Sequence, residues 1–175
     1  MVDTLGVRIR PARESDLPAL EWDGEYTHFR RVYHQALREA KRDRRLIYLA
    51  ETSGEVVGQL FIHLHSIWKN SFTGTQAGYL HSFRVKPRYR SQGIGSRLLD
   101  TAENALLDRS YRRAVISVAK VNARAQRLYT RHGYRVYSED PGEWAFVDHR
   151  GNLNKISEPA FVMVKTLRRE IPPQA

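Results

Sequence analysis

The chain of 175 residues is long enough for one domain with a buried core, and 41% of its residues are hydrophobic. It has no cysteine, which excludes disulfides, a cysteine acyl-enzyme and thiolate metal sites. The net charge of +10 is unevenly distributed, because residues 14–28 contain five acidic and no basic residues, whereas residues 84–131 contain twelve basic and three acidic ones. We therefore expect a polyphosphate ligand near the basic region and a cationic amine near the acidic one.

The start of the chain lacks the basic region and apolar core of a secretory signal. Its apolar runs are short, such as residues 46–50, and none could cross a bilayer. We therefore expect a cytoplasmic protein without a membrane partner. No repeat, low-complexity tract or linker divides the sequence, which predicts a single domain over residues 1–175, with a core at about 7–167 and a short tail at 168–175.

Hydrophobic periodicity predicts a mixed α/β sheet. In chain order, the first half is predicted to form a strand, two helices and three strands, at residues 7–10, 16–22, 26–41, 46–51, 55–65 and 78–86. The second half is predicted to form a helix, a strand, a helix and two strands, at residues 96–107, 114–119, 122–132, 144–148 and 161–167. Residues 66–76 are predicted to be a polar loop.

The most informative motif is the run Arg90-Ser91-Gln92-Gly93-Ile94-Gly95, which lies between a predicted strand and a predicted helix. Glycine has no Cβ, so it permits tight turns and close approach of a ligand to the backbone. The start of a helix directly behind such a turn presents unpaired amide N–H groups and the positive end of the helix dipole. The motif therefore predicts an anion site suited to a phosphate or diphosphate, with the charge of Arg90 at its edge.

Two common phosphate motifs do not fit this run. A dinucleotide-binding fingerprint needs a small residue at the position of Leu98, and a P-loop needs Gly-Lys-Ser/Thr, which is absent. The remaining pattern, Arg-x-x-Gly-x-Gly after a strand, resembles the acetyl-CoA diphosphate loop of the GNAT superfamily of N-acetyltransferases. Residues 122–134 resemble the second conserved block of that family, which consists of Asn122, an alanine, Leu128-Tyr129 and Gly133-Tyr134.

The resemblance extends from about residue 7 to residue 167 and implies a GNAT fold. This fold has a mixed, mostly antiparallel sheet of about seven strands with splayed central strands, flanked by four helices. It implies an enzyme that moves an acetyl group from acetyl-CoA to a primary amine, on a small molecule or a peptide N-terminus, without a metal. The coenzyme-binding residues that the resemblance implies are Phe83, Arg84, Val85, Arg90, Ser91, Gln92, Gly93, Ile94, Gly95, Ser96, Asn122 and Tyr129.

Direct attack of the amine on the thioester in a ternary complex is the simplest mechanism, because the chain has no cysteine. A phenol has a pKa of about 10, so it is protonated at neutral pH and can give a proton to the departing thiolate. Tyr129 is expected on the same helix face as Asn122 and occupies the position of the family's general-acid tyrosine. Backbone N–H groups near Phe83 and Val85 are expected to stabilise the oxyanion.

Two alternatives are open for the general base. His81 is predicted to lie on the same side of its strand as Val85, and its imidazole can titrate near neutrality. The resemblance places His81 at the second of two histidines that arylalkylamine N-acetyltransferases carry on this strand, while Tyr79 replaces the first. The other alternative is a carboxylate of the acidic region, namely Glu21, Asp23 or Glu25.

Three further hypotheses come from the same sequence. His63 and His65 would share one strand face, but no fourth ligand is apparent, so no metal site is predicted. The basic residues of segment 30–45 suggest association with nucleic acid or the ribosome, either as a binding protein or as an acetyltransferase of a ribosomal protein or aminoacyl-tRNA. A protein that holds acetyl-CoA without catalysis is the third. A homodimer is a further expectation, because many members of the family dimerise.

Overall fold

The computed structural model of the protein describes residues 6–64 and 76–169. Within these residues there are nine strands and three α-helices. The strands are β1 (Arg8–Pro11), β2 (Arg45–Thr52), β3 (Glu55–His63), β4 (Ala77–Val85), β5 (Arg113–Ala119), β6 (Arg135–Asp140), β7 (Glu143–Val147), β8 (Leu153–Ser157) and β9 (Ala160–Thr166). The helices are α1 (Arg30–Ala40), α2 (Ile94–Asp108) and α3 (Ala123–Arg131), with 3-10 segments at Glu14–Gly24, Thr27–Phe29 and Pro87–Tyr89.

Seven of the strands form one sheet, in the order β1-β2-β3-β4-β5-β9-β6. All neighbouring pairs are antiparallel except β4 and β5, which are parallel. With α1, α2, α3 and the segment Glu14–Gly24 as its helices, this architecture confirms the predicted mixed, mostly antiparallel fold. Strands β7 and β8 pair only with each other and form a separate hairpin.

The end of the chain contains more strands than the sequence predicts. Two strands are predicted after α3, whereas the structure has four, β6 to β9. The sequence pattern misses β6 and β8 because their residues are mostly polar and exposed, so neither strand has an apolar run. The other predicted elements are observed with small shifts in their bounds. The predicted loop at 66–76 lies outside the described residues, except for residue 76.

Helices α1 and α2 pack on opposite faces of the sheet. The apolar side of α2, which includes Leu98 and Leu106, is fully buried against β3 and β4. On the other face, Tyr33 and Leu37 of α1 pack against Phe61 of β3. The centre of the sheet is therefore covered on both sides, as the apolar character of β3 requires.

Strand β4 departs from its neighbours at one point. It pairs with β5 only from Ala77 to Leu80, so the two parallel strands diverge beyond Leu80. Its register with β3 shifts between Gln59 and Phe61, and Ser82 has a left-handed φ of 50°. The extra residue makes a β-bulge. The expected splaying of the central strands is thus present, and the bulge lies where they separate.

An Asp16→Asn variant is expected to lose about 1–2 kcal/mol of stability at pH 7. The Asp16 carboxylate accepts hydrogen bonds from Arg10 at 2.7 and 2.8 Å and from the backbone N–H of Arg13 at 2.7 Å. The hydrogen bonds from the Arg10 guanidinium are the main reason why the pKa of Asp16 lies below its usual value. Stabilisation from a carboxyl group with a lowered pKa is present above the unfolded value of about 4 and is lost as the pH falls through the folded value.

Urea unfolding at pH 7 and pH 3 checks this expectation. The difference between Asp16→Asn and the wild type should shrink at the lower pH. A Glu14→Gln variant is the control, since it removes only the exposed ion pair with Lys41 and should leave unfolding unchanged. An equal loss for Asp16→Asn at both pH values would contradict the assigned role of its charge.

Candidate active site

The diverging ends of β4 and β5 enclose a cavity of about 550 Å³, which we call the β4–β5 cleft. Past Leu80 the two strands make no ladder with each other, so the edge of β4 that faces β5 is open to the cleft. Five residues predicted from the sequence line it together: His81, Phe83, Arg84, Asn122 and Tyr129. An extended chain can lie along this edge and use the main-chain groups that β5 leaves unpaired.

The glycine-containing loop ends at the first turn of α2. Gly93 is the N-cap residue and has a left-handed φ of 82°, and Ser91 is also left-handed at 61°. The first hydrogen bond of the helix joins the N–H of Arg97 to the carbonyl of Gly93, at 3.1 Å. The amides of residues 94–96 precede that bond and point out of the helix start. This is the predicted anion site, and its main-chain donors fit a diphosphate.

Side chains of the loop mainly hold its shape. Arg90 Nε donates to the carbonyl of Val85 at 2.8 Å, and Gln92 donates to the carbonyl of Arg88 at 3.0 Å. The Ile94 side chain is buried in the core, so only its backbone can reach a ligand. Ser96 bonds His132 through its hydroxyl at 2.9 Å. Among the predicted coenzyme residues, this loop therefore offers backbone amides and the charge of Arg90.

Arg124 contacts the glycine-containing loop and was not among the residues predicted from the sequence. It lies in the first turn of α3, and its guanidinium donates to the Ser91 hydroxyl at 3.0 Å. Asn122 caps the same helix by accepting from the N–H of Ala125 at 3.1 Å, as predicted. The signal for Arg124 was a basic residue two positions after a helix-capping asparagine. It places a second arginine beside the predicted anion site.

A Gly93→Ala variant is expected to bind the coenzyme about tenfold more weakly. A Cβ on a residue in the left-handed region costs about 1–2 kcal/mol, and the loop can relieve this strain by leaving the conformation that binds the coenzyme. Calorimetric titration with acetyl-CoA measures the change. Gly54→Ala is a matched control, since Gly54 is also left-handed, with φ of 76°, and also has open space around it, but lies in the β2–β3 turn. Equal binding by both variants would contradict a role of the Gly93 turn.

Tyr129 lies at the bottom of the cleft. Its side chain is 5% exposed and stacks with Phe83, with 6.0 Å between ring centroids. Burial, with a smaller contribution from Tyr79, raises the pKa of the phenol above its ordinary value of 10. The hydroxyl is therefore protonated throughout the neutral range. Asn122 lines the same cleft, which agrees with the prediction that both residues face one side of α3.

The predicted orientation of His81 is wrong. The bulge at Ser82 inserts one residue, so His81 pairs with Phe61 on the α1 side of the sheet, whereas Val85 packs into the core on the α2 side. Arg45 approaches the Nε2 of His81 at 2.5 Å, and because a guanidinium can only donate, this nitrogen accepts and carries no proton. Burial, followed by the charge of Arg45, lowers the pKa of His81 to about 3. Its accepting nitrogen is thus already occupied.

A second cavity of about 620 Å³ lies on the α1 side, and we call it the hairpin cavity. One wall is aromatic and combines Phe29, which precedes α1, with Trp144 and Phe146 of β7. The two cavities share a boundary at the point where β4 and β5 separate, formed by His81, Ser82, Arg84, Ser117, Ala119 and Glu158. This wall is not predictable from periodicity, because the exposed strand β8 has no apolar run that would reveal the β7–β8 hairpin.

Arg84 carries an unneutralised charge into the hairpin cavity. Its guanidinium donates to the Tyr33 hydroxyl at 2.7 Å and lies over the Tyr26 ring, 3.9 Å from the centroid. Within the described part of the chain, no carboxylate is within ion-pair distance of it. Only the backbone of Arg84 is therefore left to make the predicted contact with the coenzyme, because its side chain faces the hairpin cavity.

The acidic region at residues 14–28 does not reach either cavity. Glu14 pairs with Lys41, Asp16 with Arg10, and Glu21 with Arg30. The expectation that a cationic amine binds near this region is wrong. The region lines neither cavity, and three of its five carboxylates are neutralised by ion pairs within the protein. Glu21, Asp23 and Glu25, the predicted alternative bases, line neither cavity.

Residues 10–134 match the family model described as "Acetyltransferase (GNAT) family". The chain belongs to the GNAT acetyltransferase family. This GNAT protein is therefore an acyl-CoA-dependent N-acyltransferase. The glycine-containing loop, Tyr129 and every lining residue of the β4–β5 cleft except Glu158 lie within the matched residues.

Two curated relatives and one solved structure extend the comparison. The GNAT chain is 32% identical over 113 residues to an uncharacterized N-acetyltransferase of Archaeoglobus fulgidus, covering 65% of this chain and 76% of that protein. It is 34% identical over 92 residues to the bovine (Bos taurus) thialysine N-epsilon-acetyltransferase, covering 52% of this chain and about half, 51%, of that protein. The ribosomal-protein-S18-alanine N-acetyltransferase of Escherichia coli shares the fold, with a TM-score of 0.69, 18% identity and coverage of 97% and 99%.

Several other predictions concern absences or partners. No cluster of three or more metal-ligating side chains occurs in residues 6–64 and 76–169, and His65 lies outside them. None of the helices in the described part of the chain has the length and apolar character of a membrane span. A cytoplasmic location, a homodimer and a nucleic-acid or ribosome partner stay predictions. In the basic segment 30–45, Arg30, Lys41 and Arg45 form ion pairs with carboxylates.

Proposed function

We propose that this GNAT protein transfers an acetyl group from acetyl-CoA to a primary amine by direct attack in a ternary complex. The observation that carries the proposal is the pair of cavities that meet where β4 and β5 diverge. Phe83, which lines the β4–β5 cleft, lies next to Gly95 in the first turn of α2, and the hairpin cavity reaches the boundary of the cleft from the other face. Two reactants that enter from opposite sides can therefore meet at this gap.

Each part of the donor side has a role in this proposal. The amides of residues 94–96, with Arg90 and Arg124, bind the diphosphate. The open edge of β4 near Phe83 and Val85 pairs with the pantetheine arm and donates to the carbonyl oxygen as negative charge develops on it. Tyr129 gives its hydroxyl proton to the sulfur as the C–S bond breaks.

The acceptor proposal is a primary amine with a compact body, on a small molecule or a peptide N-terminus. The hairpin cavity offers an aromatic wall, Arg84 and the carboxylates of Asp140, Glu143 and Glu158. A cationic amine can approach the carboxylates, and its apolar body can pack on Trp144 and Phe146. The names of the bovine and E. coli relatives specify a free amino-acid analogue and a ribosomal protein, so both kinds of acceptor belong in a test.

A thiol-release screen tests the proposed function. The purified protein is supplied with acetyl-CoA and, one at a time, polyamines, arylalkylamines, aminoglycosides, amino acids and peptides. We expect amine-dependent release of coenzyme A thiol and an acetylated product of matching mass. Absence of heat in a calorimetric titration with millimolar acetyl-CoA would overturn the proposal, because it would show that the α2 N-terminus does not hold the diphosphate.

A further inference from the structure

We propose that Glu158 is the general base that takes a proton from the acceptor amine. This inference rests on the proposed function, because it assigns a role at the point where the two cavities meet. Glu158 lies two residues before the start of β9 and lines both the β4–β5 cleft and the hairpin cavity. Among the described residues it is the only acidic residue that lines both.

The backbone holds Glu158 in a fixed position. The N–H of Glu158 donates to the carbonyl of Gly142 at 3.1 Å, and the N–H of Lys120 donates to the carbonyl of Pro159 at 2.9 Å. Gly142 is left-handed, with φ of 70°, and a Cβ there would lie 1.7 Å from the Glu158 carbonyl oxygen. The turn between β6 and β7, which carries Gly142, therefore needs glycine in order to lie this close to the turn between β8 and β9, which carries Glu158. It fixes the loop that carries Glu158 against the ends of β5 and β6.

The carboxylate of Glu158 is free to act. Its side chain is exposed at the cavity rim, so a proton taken there can pass to solvent. No lysine or arginine in residues 6–64 and 76–169 forms an ion pair with it. A carboxylate without an ion-pair partner keeps its lone pairs for a substrate ammonium group.

Other candidates at the boundary are less suited to the role. His81 accepts a hydrogen bond from Arg45 at 2.5 Å, and its pKa of about 3 makes the ring a weak base. Asp140 and Glu143 line the hairpin cavity but not the β4–β5 cleft, and Asp140 already accepts from the N–H of Gly142 at 2.6 Å. Tyr79 has a phenol whose pKa is raised by burial, so it keeps its proton.

The proposed step balances in protons and electrons. The alkylammonium gives one proton to the Glu158 carboxylate, which passes it to solvent. The freed nitrogen lone pair forms the C–N bond, and the pair of the breaking C–S bond leaves with sulfur. Sulfur takes the proton of Tyr129, and the second proton lost by nitrogen, carried through solvent, restores that hydroxyl. The net products are the amide, the thiol and one proton.

The test compares the wild type, Glu158→Gln, Glu158→Asp and Glu14→Gln between pH 6 and pH 10. We expect Glu158→Gln to lower kcat about 100-fold at pH 7, because the glutamine cannot take a proton. The loss should shrink as the pH approaches the amine pKa of about 10, where the amine is already neutral. Glu158→Asp should recover part of kcat, and Glu14→Gln, whose residue lines neither cavity, should keep kcat within about threefold of the wild type.

Calorimetry supplies a readout that does not depend on turnover. Acetyl-CoA should bind Glu158→Gln as tightly as the wild type, since the carboxylate acts on the amine. A Glu158→Gln variant with wild-type kcat at pH 7, or with a loss of equal size at every pH, would overturn the assignment. If the wild type neither binds acetyl-CoA nor releases thiol, the proposed function fails together with this assignment. If the wild type is active and Glu158→Gln has the same kcat, only the assignment of Glu158 as general base is refuted, and the proposed function stands.

Discussion

A Tyr129→Phe variant is expected to lose about 100- to 1000-fold in kcat while it binds acetyl-CoA as tightly as the wild type. The change removes only the hydroxyl and keeps the ring that stacks on Phe83. Without the phenol the thiolate must leave unprotonated, so the C–S bond breaks more slowly. Because burial raises the pKa of Tyr129, the wild type should show no loss of kcat from phenol ionisation below about pH 10.

Steady-state kinetics and calorimetric titration together check this prediction. Tyr134→Phe is the matched control, because Tyr134 is also buried and its ring contacts Tyr129, but it does not line the β4–β5 cleft. That control should keep kcat within about threefold of the wild type. Undiminished turnover by Tyr129→Phe would remove this residue from the mechanism.

A Gln59→Met variant is expected to lose about 1–3 kcal/mol of stability and to lower kcat as well. Gln59 is 0% exposed in the middle of β3, and its side-chain amide donates to the carbonyl of Ser82 at 3.1 Å. Methionine has a similar shape but no donor, so the carbonyl at the bulge is left without this partner. The bulge sets which residues of β4 face each cavity, and loosening it should therefore impair catalysis.

Thermal or urea unfolding, followed by kinetics at a temperature where both proteins are folded, separates the two effects. Gln35→Met is the control, since Gln35 lies exposed on α1 and bonds Glu39 at its surface. Its stability should change by less than about 0.5 kcal/mol. Wild-type stability and kcat in Gln59→Met would show that the bulge does not depend on this hydrogen bond.

The donor half of the molecule could be predicted from sequence because its signals are local. Gly93, the helix behind it and the cap at Asn122 depend on backbone rules that a short window contains. Tyr129 follows from the same window through the family resemblance. The predicted splaying of the central strands came from that resemblance and not from periodicity.

The acceptor half could not be predicted because it depends on long-range and non-periodic features. One bulge residue, Ser82, reverses the side of the sheet on which His81 lies, and alternation cannot anticipate it. The partner of His81 is Arg45, which is distant in sequence. Strands β6 and β8 have no apolar run, so the hairpin and the position of Glu158 are visible only in three dimensions.

The separate β7–β8 hairpin has a consequence for how such a protein can diverge. The proposed diphosphate loop and the proposed proton donor belong to the start of α2 and to α3, whereas Trp144 and Phe146 come from a hairpin outside the main sheet. Changes in this short stretch can therefore alter acceptor preference while leaving donor recognition intact. Exchange of residues 143–157 between relatives is a practical route to new acylation catalysts.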